Sequence, residues 1–546
     1  MSRFTHAAAV AVLTLLASAA PAPLRAQAPA ATAQPNREQV LQTMRRATEF
    51  MVEKVAYNGG YVWSYTPDMS RRWGEMEAKP TMIWVQPPGT PTMGHVFLDA
   101  YHATGDEYYY RAAEKAADAL IWGQHPSGGW NYIVDFGGEA SLKDWYDTYG
   151  KNAWRLEEFQ HYYGNATFDD AGTSEAMQFL LRLYVEKRDP KYRPALERAI
   201  GFVLDAQYPI GGWPQRFPLK SDFSHHGRPD YTSYITFNDD VAGENIKFLI
   251  MVYQALGDGR VLDAINRAMN SFLVTQQGQP QPGWALQYTL DLKPSQARSY
   301  EPLALATHTT ANNIAQLMSF YELTGDTKFL ARVPEALNWL DRVKLPPAQV
   351  RNGRTHPTFI ELGTNRPLYV HRRGSNVVNG EYYVDYNPER TVGHYGSTRA
   401  IPLAMLRQRY ETLKAKARED VARTSPLAAR NLVPLPRYFA TRDLQTSDLN
   451  VRLASEANGG PGAAAAAALV SSLNGEGYWP TPLRATSNPY TGATPPATAR
   501  GDYATTHVGD ATDTSPYPVD RPAIGISTGT YIQNMSTLID SLATVR

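Results

Sequence analysis

The sequence predicts an all-α fold, an α/α toroid of repeated helical hairpins with long glycine- and aromatic-rich loops and a short β-hairpin segment. Three observations predict it. The stretch TFDDAGTSEAMQFLLRLY, Thr167 to Tyr184, recurs 69 residues later as TFNDDVAGENIKFLIMVY, Thr236 to Tyr253. Apolar residues in the helical stretches, such as Ile200, Val203 and Leu204, keep the 3.6-residue period of a helix. A glycine preceding an aromatic residue returns at Gly60, Gly129, Gly212 and Gly283. A unit of helix, tight turn, helix and long loop buries its apolar faces only by stacking on its neighbours. An open solenoid is the alternative. The elaborated loops favour a closed ring, with one helix of each pair inside and the other outside.

The elements follow in chain order. MSRFTHAAAVAVLTLLASAAPAPLRAQAPA carries one early arginine, an apolar run from Ala7 to Ala17 and then small residues. That is the pattern of a signal peptide over 1–26, and it places the protein in the periplasm or outside the cell. A low-complexity linker fills 27–36. Neither the leader nor any later segment is apolar for long enough to cross a bilayer. A helical stretch from about Glu38 to Val55 ends in Asn58-Gly59-Gly60-Tyr61. HVFLDAY and EYYYRAAEKAADALIW form a hairpin closed by Gly128-Gly129-Trp130. The TFDD helix pairs with PKYRPALERAIGFVLDAQ before Gly211-Gly212-Trp213, and the TFND helix with GRVLDAINRAMNSFLVTQ before Pro282-Gly283-Trp284. NNIAQLMSFYELTGD then pairs with TKFLARVPEALNWLDRV. The turns TGD, RDP, GDG and TGD suit helix ends and tight connections. Tyr and Val enrichment between Arg354 and Tyr395 predicts a short sheet or hairpin, followed by a helix from about Thr398 to Asp420. The toroid domain is therefore read as 37–423. The remainder, 424–546, contains Ala463 to Leu473, Gly477-Tyr478-Trp479-Pro480 and an amphipathic stretch from Thr528 to Ala543, and is expected to close the ring.

Fifty-three Lys and Arg balance 53 Asp and Glu, so the chain lacks the electrostatic footprint of a nucleic-acid binder. It has no cysteine, which excludes disulfides and thiolate metal sites. Any metal would be held by oxygen or histidine, and an exported protein meets Ca²⁺. In a ring, every outer-to-inner connection lies at one end. The loops and the acidic turns thus share a rim, with Asp169, Asp170, Asn238 and Asp239 at the starts of adjacent inner helices. Helix capping accounts for one such residue per turn. Two in succession, in both repeats, leave surplus oxygens for a Ca²⁺ ion, which takes roughly six to eight. Trp130, Trp213 and Trp284 either pack each loop on its hairpin or stack on a ligand. Arg298, in QARSYEPLAL, falls in the loop before the next inner helix, and Arg366 and Arg390 lie in the irregular segment beyond. Carboxylates, a cation and arginines in one cavity suit an anionic, metal-binding ligand such as a uronic acid polymer; structural salt bridges are the other reading.

GGWPQRFP (211–218), TFNDDVAGENIKFL (236–249), PGWALQY (282–288), ARSYEPLAL (297–305), GTNRPLY (363–369) and ERTVGHYG (389–396) resemble, in the same order, motifs of the family 10 pectate lyases. TFDDAGT (167–173) resembles that family's first acidic motif, and the likeness spans roughly residues 125–410. The resemblance implies an α/α toroid that cleaves polygalacturonate by Ca²⁺-assisted β-elimination, leaving 4,5-unsaturated oligogalacturonides. It implies Asp169 and Asp239 as Ca²⁺ ligands and Arg298 as the base. Asn238, Trp213, Gln287, Arg366 and Arg390 would bind substrate, the two arginines through its carboxylates. The residues alone make Arg298 a carboxylate clamp, because a guanidinium stays protonated to about pH 12; the role of base comes from the resemblance. The partner is then an acidic polysaccharide, with neither nucleic acid nor membrane, and the protein a monomer.

The chain departs from the family in three places. Asn131-Tyr132 follows Trp130 where Pro-Lys-Asn is usual, with Lys151 a candidate substitute. Asp169-Asp170 stands where Asp-Asn is commoner, and the chain past Arg423 has no counterpart. Four alternatives remain. Gln124 to Trp130 and Gln207 to Trp213 fit the spacing of the triterpene-cyclase toroids. The others are a glycoside hydrolase using two carboxylates, a lyase acting on another uronate polysaccharide, and a non-catalytic glycan-binding relative.

Overall fold

The computed structural model describes residues 35–150, 157–220, 224–225, 228–373, 381–392, 397–423, 425–427, 463–483 and 524–542. The signal peptide, nearly all of the linker and Lys151 lie outside the described residues. The helices are α1 (Arg37–Phe50), α2 (Thr90–Thr104), α3 (Glu107–Trp122), α4 (Glu139–Thr148), α5 (Gly172–Lys187), α6 (Arg193–Ala206), α7 (Val241–Leu256) and α8 (Val261–Thr275). They continue with α9 (Thr307–Thr324), α10 (Lys328–Ala331), α11 (Val333–Arg342), α12 (Leu403–Lys414), α13 (Arg418–Val421), α14 (Ala463–Ser472) and α15 (Thr528–Ser541).

Burial sorts these helices into two layers. Helix α5 is buried without a break from Gly172 to Leu183, and α2 from Thr90 to Leu98. Helices covered on all sides form the inner layer. By contrast, α8 buries one stripe, Val261, Ala264, Ile265, Ala268, Met269, Ser271, Phe272 and Thr275, the pattern of an outer helix with one face in water. The hairpins α2/α3, α5/α6, α7/α8 and α9/α11 alternate accordingly. From hairpin to hairpin α15 packs on α2, α2 on α5, α5 on α7, and α9 on α12. Asn312 and Gln316 of α9 donate to Asp240 at the start of α7. The architecture is an α/α toroid.

One device, repeated, sets the loops. The indole N–H of Trp130 donates to Leu120 O at 2.7 Å, that of Trp213 to Val203 O at 2.8 Å, and that of Trp284 to Phe272 O at 3.0 Å. Trp479 does the same to Leu469 O at 3.0 Å. Each ring thereby satisfies a carbonyl left open near the end of the preceding outer helix. Gln124 and Gln207 each donate to the loop glycine's carbonyl and to a carbonyl of the next outer helix. The Gln-to-Trp spacing shared with the cyclase toroids is therefore a bracing device. Glycine is required at Gly211, where φ is +105° and a Cβ would lie 2.1 Å from Arg267 O on α8. Gly477, also at +105°, lies over α1, where a Cβ would meet Arg46 O at 3.0 Å. The loop after α14 thus leans on the first helix of the chain. A sheet ordered Thr481–Pro482, Ile524–Ser527, Ser64–Tyr65, Arg72–Trp73 joins the same two ends.

The irregular segment forms more sheet than a hairpin. Ala304–Ala306, Phe359–Glu361, Pro367–Arg373 and Glu381–Asp385 pair in that order. Beneath them Tyr300, Phe359, Val370 and Tyr382 make a second apolar cluster, with the Tyr300 and Tyr382 rings 5.5 Å apart. This cluster seats the loop that carries Arg298. The helix expected from Thr398 begins only at Leu403, because Thr398–Arg399 pairs with His356–Pro357 and Pro402 precedes the first turn.

Candidate active site

Both acidic turns are built alike. A two-residue strand (Ala166–Thr167, Ile235–Thr236) leads to a buried Phe, then to a 3₁₀ turn at Asp169–Ala171 or Asn238–Asp240. Each turn holds two successive left-handed residues: Asp170 and Ala171 at φ 52° and 55°, Asp239 and Asp240 at 51° and 54°. Such conformations cost about 1–3 kcal/mol apiece outside glycine. Helix capping does not repay this, since neither α5 nor α7 has a side-chain cap hydrogen bond. The carboxylates instead face one another. Asp169, Asp170 and Asp239 each place an oxygen within 4.8 Å of the others.

Asp169 is fully buried. Its Oδ2 accepts from the Tyr132 hydroxyl and from Arg298 Nη2, whereas its Oδ1 has no hydrogen bond. Burial pushes the Asp169 pKa up, but the Arg298 charge and hydrogen bonds such as that from Tyr132 hold it below the usual carboxylate range. Arg298, likewise buried, also meets Glu301 Oε1 at 3.1 Å and Glu158 Oε2 at 3.4 Å. Burial opposes its charge, yet the surrounding carboxylates, Asp169 foremost, raise its pKa well above the ordinary arginine value. Asn238 Nδ2 donates to Asp239 Oδ2 at 2.6 Å and to Glu301 Oε1 at 3.2 Å. The 298–301 loop is thus pinned to both acidic turns. Glu75, Glu158 and Asp170 form a second group within 4.8 Å, bridged by Gln86 Nε2 at 2.9 Å from Glu75 and 2.6 Å from Asp170. Three close carboxylates with one buried oxygen left open form an acidic cluster fit for a hard metal ion.

Burial raises other acids near the site and the ring interior. Glu157, whose oxygens accept the Ser299 N–H at 3.0 and 3.1 Å, is pushed to about 8. Burial also lifts Asp240 to about 7 and Glu175 to about 8. A carboxyl raised in the fold stabilises it below the unfolded pKa, and loses that contribution as pH rises through the folded one. The thermal midpoint, measured in chelator, is expected to fall between about pH 5 and about pH 9. An unchanged midpoint across that window would contradict this.

Of the residues expected at the site, Asp169, Asp239, Asn238 and Arg298 come together. Trp213 does not serve as a substrate platform: it is fully buried, with its indole spent on Val203 O. Gln287 is corrected in the same way. It is fully buried, donates to Thr236 Oγ1 at 3.2 Å and braces the strand before the second acidic turn instead of lining a cleft. Arg366 is exposed, its guanidinium 3.4 Å over the Tyr386 ring, and Arg390 is exposed with its carbonyl accepting from His371. No described contact joins either to the Asp169–Arg298 cluster. Sequence reasoning missed Glu158, Glu301, Tyr132, Glu75 and Gln86. Glu301, three residues after Arg298 in one motif, was the readable one. Glu75 and Gln86 lie in a stretch with no periodic pattern.

The family model for pectic acid lyase matches residues 140–398. A mutant family 10 polysaccharide lyase from Cellvibrio cellulosa, solved in complex with trigalaturonic acid, is 21% identical over 51% of this chain and 86% of its own, with a TM-score of 0.36. A cellobiose 2-epimerase from Spirochaeta thermophila is 14% identical over 60% and 75%, with a TM-score of 0.38. An inactive variant of an α-1,6-mannanase from a Salegentibacter species is 11% identical over 93% and 99%, with a TM-score of 0.35. No curated protein matches the chain. Over residues 140–398 the chain carries the pectic acid lyase pattern that its motifs implied, and its enzyme class is that of a polysaccharide lyase.

Proposed function

We propose that the protein is an exported pectate lyase that cleaves polygalacturonate by Ca²⁺-assisted β-elimination. The observation that carries this reading is the shared Asp169 carboxylate, with Arg298 and Tyr132 on one oxygen and no hydrogen bond on the other, which faces Asp170 and Asp239. Held by Asp169 and Asp239, with Asp170 in reach, a Ca²⁺ ion would stabilise the enolate-like charge that develops on the uronate carboxylate. Arg298 takes the C5 proton. The C5–H electron pair forms the C4=C5 double bond, and the C4–O4 pair leaves with the departing sugar. Arg366 and Arg390, both exposed, grip carboxylates of sugars along the chain.

The carboxylates around Arg298 oppose its loss of a proton, so the base form is scarce at neutral pH. Below a raised pKa its neutral fraction grows about tenfold per pH unit. With polygalacturonate and Ca²⁺, ultraviolet absorbance of the unsaturated uronate is expected to rise, faster at alkaline pH, and EDTA is expected to abolish it. Reducing sugar without absorbance would replace the lyase reading with a hydrolase. A rate flat across the alkaline range would return Arg298 to the role of carboxylate clamp. Activity confined to another uronate polymer would keep the reaction and move the substrate.

A further inference from the structure

Tyr132 stands at the point where the chain departs from the resembling motifs, and its hydroxyl is on Asp169. Its backbone is fixed on both sides. The Trp130 indole and amide are tied to Leu120 O and Thr173 Oγ1, and Tyr132 O accepts the Val85 N–H at 2.8 Å. The ring is fully buried, 5.1 Å from the Phe159 ring. Arg216 lies 5.2 Å from its centroid. That guanidinium is buried as well, and it donates to neutral acceptors, Asn131 Oδ1 and Asn165 Oδ1, at 3.3 Å each.

A carboxylate turns easily about its last torsion. Asp169 is stopped from turning because Oδ2 accepts from both Tyr132 and Arg298. Oδ1 is left buried and unbonded within the Asp169, Asp170, Asp239 group. We propose that Tyr132 is a positioning residue for the metal: with Arg298 it occupies one oxygen of Asp169 and so presents the other to the cation. This rests on the metal reading of the acidic turns. Arg298 has a second task in the reaction, which leaves Tyr132 as the donor dedicated to orientation.

Partners behind a metal ligand typically change affinity by about 10- to 100-fold when removed. Tyr132→Phe keeps the ring and deletes only the donor. Calorimetric titration with Ca²⁺, without substrate, is expected to show binding weakened about tenfold. Turnover should be reduced at low Ca²⁺ and largely recovered at saturating Ca²⁺. A merely structural role would instead lower the rate at every Ca²⁺ concentration and move the thermal midpoint measured in EDTA. Wild-type affinity in Tyr132→Phe overturns this inference and leaves the metal reading standing. If the unaltered protein takes up no Ca²⁺, and Asp239→Asn changes nothing, the metal reading falls and this inference with it.

Discussion

Arg298→Ala is expected to abolish formation of unsaturated product, a fall of about 10³-fold or more, and to weaken the fold at the same time. The first effect follows from the role proposed for the group beside Asp169, where it would take the C5 proton of the uronate; deleting one charge-stabilising donor alone costs about 10²–10³ in rate. The second follows from burial. Asp169, Glu158 and Glu301 all contact this guanidinium. Breaking a buried ion pair from one side costs about 3–5 kcal/mol, because the partner charge is stranded. Arg298→Lys separates the two effects. It keeps a charge for the carboxylates but loses the planar fork and its proton-transfer geometry. Denaturant unfolding should show much of the stability restored while the absorbance assay stays silent. Substantial turnover in Arg298→Ala would remove this residue from the chemistry altogether.

Trp213→Ala carries the second large effect, and it falls on stability. The ring is fully buried, fills the space between its loop and hairpin, and satisfies Val203 O. Truncating such a side chain costs about 3–5 kcal/mol, with an unsatisfied carbonyl in addition. Urea unfolding is the measurement. A substrate-stacking role predicts the reverse, an intact fold with a raised KM, and that outcome would overturn the packing reading. Trp130, Trp284 and Trp479 make the same bond to a preceding helix, so a shared structural task fits all four better than four separate ligand contacts.

Some of this was legible before any coordinates. The recurrence of Thr-Phe-x-Asp and the 3.6-residue period identified α5 and α7 as equivalent helices, and ring topology put Asp169, Asn238, Asp239 and Arg298 at one rim. Local rules also located α14 and α15 within a few residues. They failed where a residue's task depends on what packs over it. Trp213 and Gln287 belong to motifs that look like ligand contacts, yet both lie under neighbouring loops. The start of α12 moved because a strand of the irregular segment claimed Thr398 and Arg399.

The sequence by itself determined the hairpin repeat, the toroid, the acidic turns and the arginine set against them, because periodicity and recurrence are local properties that survive without coordinates. Only the tertiary structure decided which groups surround that arginine. Glu158 comes from the loop after α4, Tyr132 from the loop after α3, and Glu75 and Gln86 from the segment between α1 and α2. No spacing rule connects such distant segments. Their meeting is set by how the loops fold over the rim, and it is that burial, with water excluded, which makes the charge on Arg298 and the open oxygen of Asp169 matter.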